Sequence, residues 1–286
     1  MSDSADVRVI SSAAGFQLWR SPLDVFACAW RHRALIRRLA QREIAARYRA
    51  SMLGMLWSVL IPLLLLAVYT FVFSVIWPNR WGTRTEGTGH FALVLFAGLI
   101  LFNLFAECVN RAPTLLLENV SYVKRVVFPL EILPWVMLTS AAFNAVVSFG
   151  VLLLGYVALI GLPPATALLA PLMPLPLALL TLGAAWFLTS LGVYLRDVRQ
   201  FMPVVTMILM FLSPVFYPVS ALPERFRWLA AVNPLAAAME SLRDVLFWGT
   251  GPHWVAFGLQ SLAAWLVAWV GFMWFMKTRK GFADVI

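Results

Sequence analysis

Residues 53–77, LGMLWSVLIPLLLLAVYTFVFSVIW, decide the fold class. The run holds no charged side chain, and an α-helix needs roughly 20 mostly apolar residues to cross a hydrocarbon core about 30 Å thick. A helix on a soluble surface would be interrupted by polar residues every few positions. Working outward, 91–113, 132–160, 167–194, 201–222 and 254–276 meet the same test. Hydrophobic residues make up 62% of the 286 positions and charged ones 12%. The pattern predicts an all-α integral membrane protein with six transmembrane helices: a cytoplasmic segment over 1–52, then a six-span domain over 53–286.

Charge sets the expected orientation. Of 22 Lys and Arg, nine precede the first span, and basic flanks stay in the cytoplasm. Six crossings place seventeen cations inside and five outside, with both termini cytoplasmic in the inner (plasma) membrane. Arg196, Asp197 and Arg199 mark a boundary, because each charge at a helix centre costs about 2.5–3.5 kcal/mol on insertion scales. The net charge of +9 follows the inner face rather than one groove, so anionic membrane lipids, not nucleic acid, are the expected partner. The first 50 residues lack an unbroken apolar core before a cleavage site, so no signal peptide is expected. Cys28 and Cys108 form no disulfide framework, and His32, His90 and His253 are too scattered for a metal site.

Residues 22–50, PLDVFACAWRHRALIRRLAQREIAARYRA, place Leu23, Phe26, Trp30, Ile36, Leu39 and Ile44 near helical spacing, with arginines over much of the remainder. Such an amphipathic helix suits the headgroup plane and could act as a bar passing force to the first span. In the second span Glu107 and Arg111 lie four apart, so they share a face as an intramembrane pair. Intramembrane charges are functional candidates, while a self-neutralising pair reads equally well as structural. Tyr69, Phe73 and Trp77 share one face of the first span, and Phe211, Phe216 and Tyr217 punctuate the fifth. Aromatic faces can pack on sugar rings, which makes these six a candidate channel lining; lipid or helix packing is the plainer reading of each. Segment 223–253, broken at Asn233-Pro234, reads as a re-entrant pair of external helices between spans five and six.

The string QREIAARYRASMLGMLWSVLIPLLLLAVYTFVFSVIW at 41–77 resembles the start of the membrane subunits of ABC-type polysaccharide exporters, which move O-antigen, teichoic-acid and capsular chains. ENVSYVKRVVFPLEILP at 118–134, YLRDVRQ at 194–200, LSPVFYPVSALPE at 212–224 and NPLAAAMESLRD at 233–244 resemble the same family in the same order. The O-antigen and teichoic-acid branch matches more fully than the capsule branch. The resemblance implies a channel-forming permease for a lipid-linked polysaccharide, most simply O-antigen, built from two copies of this chain and two of a nucleotide-binding ATPase. The chain contains no G-x-x-x-x-G-K-[ST] loop and no soluble segment large enough for a nucleotide domain, so it is not itself expected to be an enzyme. No cofactor is expected on it, and ATP and Mg belong to the partner.

Family members place a coupling helix where Tyr122, Val123, Lys124, Arg125, Val126 and Phe128 stand here. Apolar residues rimmed by two cations also suit a helix-in-groove contact. An orientation-setting basic connector needs only the cations and leaves the apolar residues unexplained. Arg42, Glu43, Arg47, Tyr48 and Arg49, in the family's opening block, are the residues of the interfacial gate. An ion-coupled secondary transporter would show paired repeats and buried acids, and a glycosyltransferase would need clustered carboxylates; neither pattern is evident.

Overall fold

A computed structural model describes residues 23–49, 52–72, 89–124 and 128–285. The described residues are helical throughout their regular structure, with no strand among them. Among the described residues, the α-helices of six or more residues are α1 (Asp24–Arg31), α2 (Arg33–Tyr48), α3 (Trp57–Phe71), α4 (His90–Arg111), α5 (Leu133–Leu159), α6 (Leu175–Tyr194), α7 (Val198–Leu212), α8 (Arg227–Val232), α9 (Pro234–Arg243) and α10 (Trp254–Thr278).

Among the described residues, five helical segments are long and apolar enough to cross a membrane: Gly54–Phe71, His90–Thr114, Leu130–Leu159, Leu175–Tyr194 and Trp254–Gly281. The fifth expected span, 201–222, is only partly helical. α7 has 15 residues, or about 22 Å at 1.5 Å per residue, and it stops where Ser213 turns extended (φ −91°, ψ 149°) ahead of Pro214. The fourth expected span begins later than its apolar run, because the prolines at 171, 174 and 176 confine the regular helix to Leu175 onward. The single helix expected over 22–50 is two, divided at His32 (φ −105°, ψ 16°).

α4 is the hub. Every residue from Phe91 to Phe102 is buried, as expected of a helix apolar on all sides, and α3, α5, α6, α7 and α9 all pack on it. α3 turns only Ser58, Pro62 and Leu66 fully inward, a stripe at spacings of four. α6 and α10 cross at two glycines: a Cβ on Gly271 would lie 2.2 Å from the Gly183 carbonyl oxygen. Small residues that let backbones meet are a recurrent basis of helix association in membranes, where lipid removes the hydrophobic drive between helices. Trp186 seals this layer, donating to the Glu131 carbonyl at 3.0 Å and meeting Phe272 edge to face.

After α7 the chain returns through two short helices separated at Asn233. Its side chain accepts from the Leu235 N–H at 3.0 Å and donates to Ser213 Oγ at 2.9 Å, an N-cap that starts α9 with Pro234 in the first turn. The second of these helices changes pitch after Arg243, becoming a π-helical turn over Asp244–Trp248 that ends at Gly249 in the left-handed region.

Candidate functional site

The least buried face of α4 is its polar one. Asn103, Glu107, Asn110 and Arg111 recur at spacings of four, three and one, which keeps them on one side of a helix. Against this face stand the C-terminal half of α2, α3 and the middle of α5, enclosing a cavity of about 490 Å³ lined by Arg47, Tyr48, Ser58, Asn103, Glu107, Asn144 and Ser148 among apolar residues of α3 and α4.

Glu107 and Arg111 do not neutralise each other as their spacing predicts. Arg47 Nη2 meets Glu107 Oε1 at 2.5 Å, and Arg111 is ion-paired with Glu43 and, through Nε at 3.1 Å, with Glu118. The physical reason is that both helices carry the acid one turn before the base and run antiparallel where they meet. Glu43 and Arg47 are one turn apart on α2, Glu107 and Arg111 one turn apart on α4, and the crossing sets each acid beside the other helix's base. Asn144 of α5 donates to the second oxygen of Glu107 at 3.2 Å and accepts from Tyr48 at 3.3 Å. Sequence reasoning missed Asn144, although an Asn inside an apolar run is itself a signal. Thr206 of α7 donates to Asn110 at 3.1 Å, tying α7 to the same polar face.

Of the gate residues, Arg42, Glu43, Arg47 and Tyr48 all meet partners outside α2, whereas Arg49 is exposed just beyond its end. Arg42 donates to the Tyr122 hydroxyl at 2.5 Å, its guanidinium 5.7 Å from the ring centroid. Tyr122 in turn stacks on Phe128, centroids 4.4 Å apart and 6° from parallel. The two aromatics of the expected docking segment therefore form one half-exposed unit beneath α2. Val123 is a correction: it is buried, so its side chain packs inward rather than on the docking surface. Lys124 is exposed, and Arg125 and Val126 lie outside the described residues. Arg279, beyond α10, reaches Glu131 at 2.7 Å and the Phe128 carbonyl at 3.2 Å, securing the far side of the segment.

Of the aromatic lining, Phe73 and Trp77 lie outside the described residues. Phe211, Phe216 and Tyr217 come together, the first two rings 6.1 Å apart and the Tyr217 hydroxyl donating to the Phe211 carbonyl at 2.9 Å. Tyr69 is half-buried against the core and shares no ring contact with them among the described residues.

A second polar centre lies on α9, where Glu240 and Arg243 pair. Arg243 is fully buried and donates to the carbonyls of Val94 (3.2 Å), Pro214 (2.6 Å) and Val215 (3.2 Å) and to Glu240 (3.0 Å). The non-helical segment after α7 and the hub helix are thus tied to α9 by one guanidinium, whose fork of donors suits several acceptors at once. Gly98 makes room, since a Cβ there would lie 2.6 Å from Nη2.

The family model of the ABC-2 type transporter matches residues 34–247, from the first turn of α2 to the π-helical turn. The chain belongs to the ABC-2 type transporter family. Its apolar helices and this membership make it a multi-pass membrane protein, the membrane part of a transporter. Two proteins of Klebsiella pneumoniae named O-antigen export system permease protein RfbA are each 24% identical to it, over 87% of this chain and 93% of theirs. A protein of the same name from Myxococcus xanthus is 28% identical over 90% of this chain and 97% of its own.

Proposed function

We propose that this chain is the permease subunit of an ATP-driven exporter that passes a lipid-linked O-antigen polysaccharide across the inner membrane. The observation that carries the reading is family membership extending over the polar face of α4, together with near full-length relatives named as O-antigen export permeases. Two copies of the chain face each other across a channel, and two ATPase subunits supply ATP and Mg. Both termini lie in the cytoplasm. α1 and α2 lie along the cytoplasmic surface, α7 with the segment after it completes a sixth crossing, and α8 and α9 form a re-entrant pair at the outer mouth. Support for pairing comes from α3 and α7, which flank the polar face of α4 and leave large apolar side chains exposed, among them Leu64, Val68, Met207 and Phe211.

The mechanism follows from the two crossed ion pairs, Arg47 with Glu107 and Glu43 with Arg111. ATPase movement reaches the Tyr122–Phe128 unit, passes through Arg42 to α2, and through Arg47 and Glu43 to Glu107 and Arg111 on the polar face. Pairs this exposed hold weakly, about 0–1 kcal/mol each, which suits contacts that must exchange during a cycle. Phe211, Phe216 and Tyr217, with Tyr69, Phe73 and Trp77, offer ring faces along which sugars slide.

The test is a deletion strain. Loss of surface O-antigen, accumulation of the lipid-linked glycan inside, and restoration by this chain only when its ATPase is present are expected. Normal surface O-antigen in the deletion strain overturns the reading.

A further inference from the structure

A second cavity, also about 490 Å³ and separate from the polar one, lies where α1 and α2 meet the first turns of α5, and its lining is almost wholly apolar. Phe26, Ile36, Ala40 and Trp135 line it, with Arg33 and Arg37 beside them. Trp135 and Thr139 stand near the start of Leu130–Leu159, a segment able to cross a bilayer. With Leu130–Leu159 as a crossing helix, the groove opens beside its first turns, at the bilayer surface.

The two arginines are four apart and share a face of α2. Neither has a carboxylate partner among the described residues, in contrast to Arg47 and Arg111. Arg33 is held at the mouth by its bond to the Trp30 carbonyl (3.0 Å) and by stacking on that indole (4.8 Å to the centroid). Trp135 keeps its indole N–H buried with no acceptor among the described residues.

We propose that this groove binds one anionic glycerophospholipid, its acyl chain among Phe26, Ile36, Ala40 and Trp135 and its phosphate across Arg33 and Arg37. An apolar trough with a doubly cationic rim matches an amphiphile bearing one anionic head. A free anion would leave the trough unused, and a zwitterionic lipid brings its own cation against the arginines. Seated there, the lipid braces the α1–α2 elbow against α5 and sets the position from which α2 reaches α4.

Native mass spectrometry of the full-length chain, delipidated and titrated with phosphatidylglycerol or phosphatidylcholine, tests the site. One phosphatidylglycerol is expected to persist on the wild type. R33Q/R37Q should lower its occupancy at least about tenfold, while R31Q/R38Q, the same charge loss outside the groove, stays within about twofold. T139F, which fills the groove without changing charge, should also release the lipid, and R33K/R37K should keep it. Equal losses from the two arginine-to-glutamine pairs would reduce the effect to diffuse attraction. Retention by T139F would remove the acyl seat, and displacement by glycerol 3-phosphate would make it a soluble-anion site; each overturns the proposal. Should R33Q/R37Q fail to fold, retention by R33K/R37K with loss in T139F supports the site, and any other combination rejects it.

Discussion

Arg47 of α2 and Glu107 of α4 are ion-paired at 2.5 Å across 60 positions of sequence, one half of a box whose other half is Glu43 with Arg111. Both side chains of the first pair remain about one-third exposed, so the pair serves position more than stability.

Reversing the pair tests this. R47E or E107R alone opposes like charges and should abolish most export with little loss of folded protein, whereas R47E/E107R restores opposite charges and should recover export in part. Recovery stays partial because a guanidinium at position 107 cannot accept from Asn144. A double-mutant cycle on thermal unfolding should give a coupling of only about 0.5–1 kcal/mol. No recovery of surface O-antigen in the reversal would remove the box from the transmission path.

The Tyr122–Phe128 unit gives the second test. Y122A/F128A removes both stacked rings and the hydroxyl that Arg42 holds, so ATPase co-purification and export should fall together while membrane insertion is kept. R42Q leaves the rings and removes the link, so it should impair export with the ATPase still bound. Normal export from R42Q would mean that force reaches α2 by another route.

Apolar runs made the all-helical membrane class legible, and five of the six appear as helices long enough to cross. The fifth expected span, 201–222, fell short because Pro214 and Pro218 end helical structure in a run whose hydropathy does not change there. The break at His32 leaves no such mark, since His is tolerated in helices. Glu107 and Arg111 were legible as important but not as partners: spacing along one helix says which groups share a face, not which second helix arrives there. For Arg243 the pairing with Glu240 was open to a reading of one helix, but its burial and its carbonyl acceptors, 28 to 149 positions away, were not.

Cys28 allows a pH test outside the spans. Burial first, and then the charge of Glu131, push its thiol from the ordinary 9.0 up to about 12. The thiol is therefore protonated at neutral pH, and the thiolate, not the thiol, is the nucleophile. Maleimide labelling of the folded C108A chain should be slow at pH 7–9 and become fast on unfolding. A folded-state value above the unfolded one gives a stability contribution that is fully present below about pH 9 and lost as pH rises towards about 12, because only the unfolded chain releases the proton in that window. C28A should flatten that part of the curve. Rapid labelling of folded protein at pH 7 would show that α1 leaves α10 and the Leu130–Ile132 turn readily.

Arg243 should be the least replaceable charge in the chain. Removing a buried charge strands its partners, Glu240 and the acceptor carbonyls at 94, 214 and 215, and breaking such a group costs about 3–5 kcal/mol. R243A should therefore lower the yield of folded protein sharply. R243K keeps the charge but has one nitrogen where the structure uses Nε, Nη1 and Nη2 on different acceptors, so it should rescue little. G98A approaches the same guanidinium from the other side, at 2.6 Å, and should reproduce part of the loss with Arg243 intact. R243A/G98A then separates two roles. If the defect of G98A lies in displacing Arg243, adding it to R243A costs almost nothing further, a non-additivity expected of contacting residues. Additive losses, read from size-exclusion yield and thermal midpoint, would place the role of Gly98 in α4 itself and leave Arg243 without its seat on the hub helix.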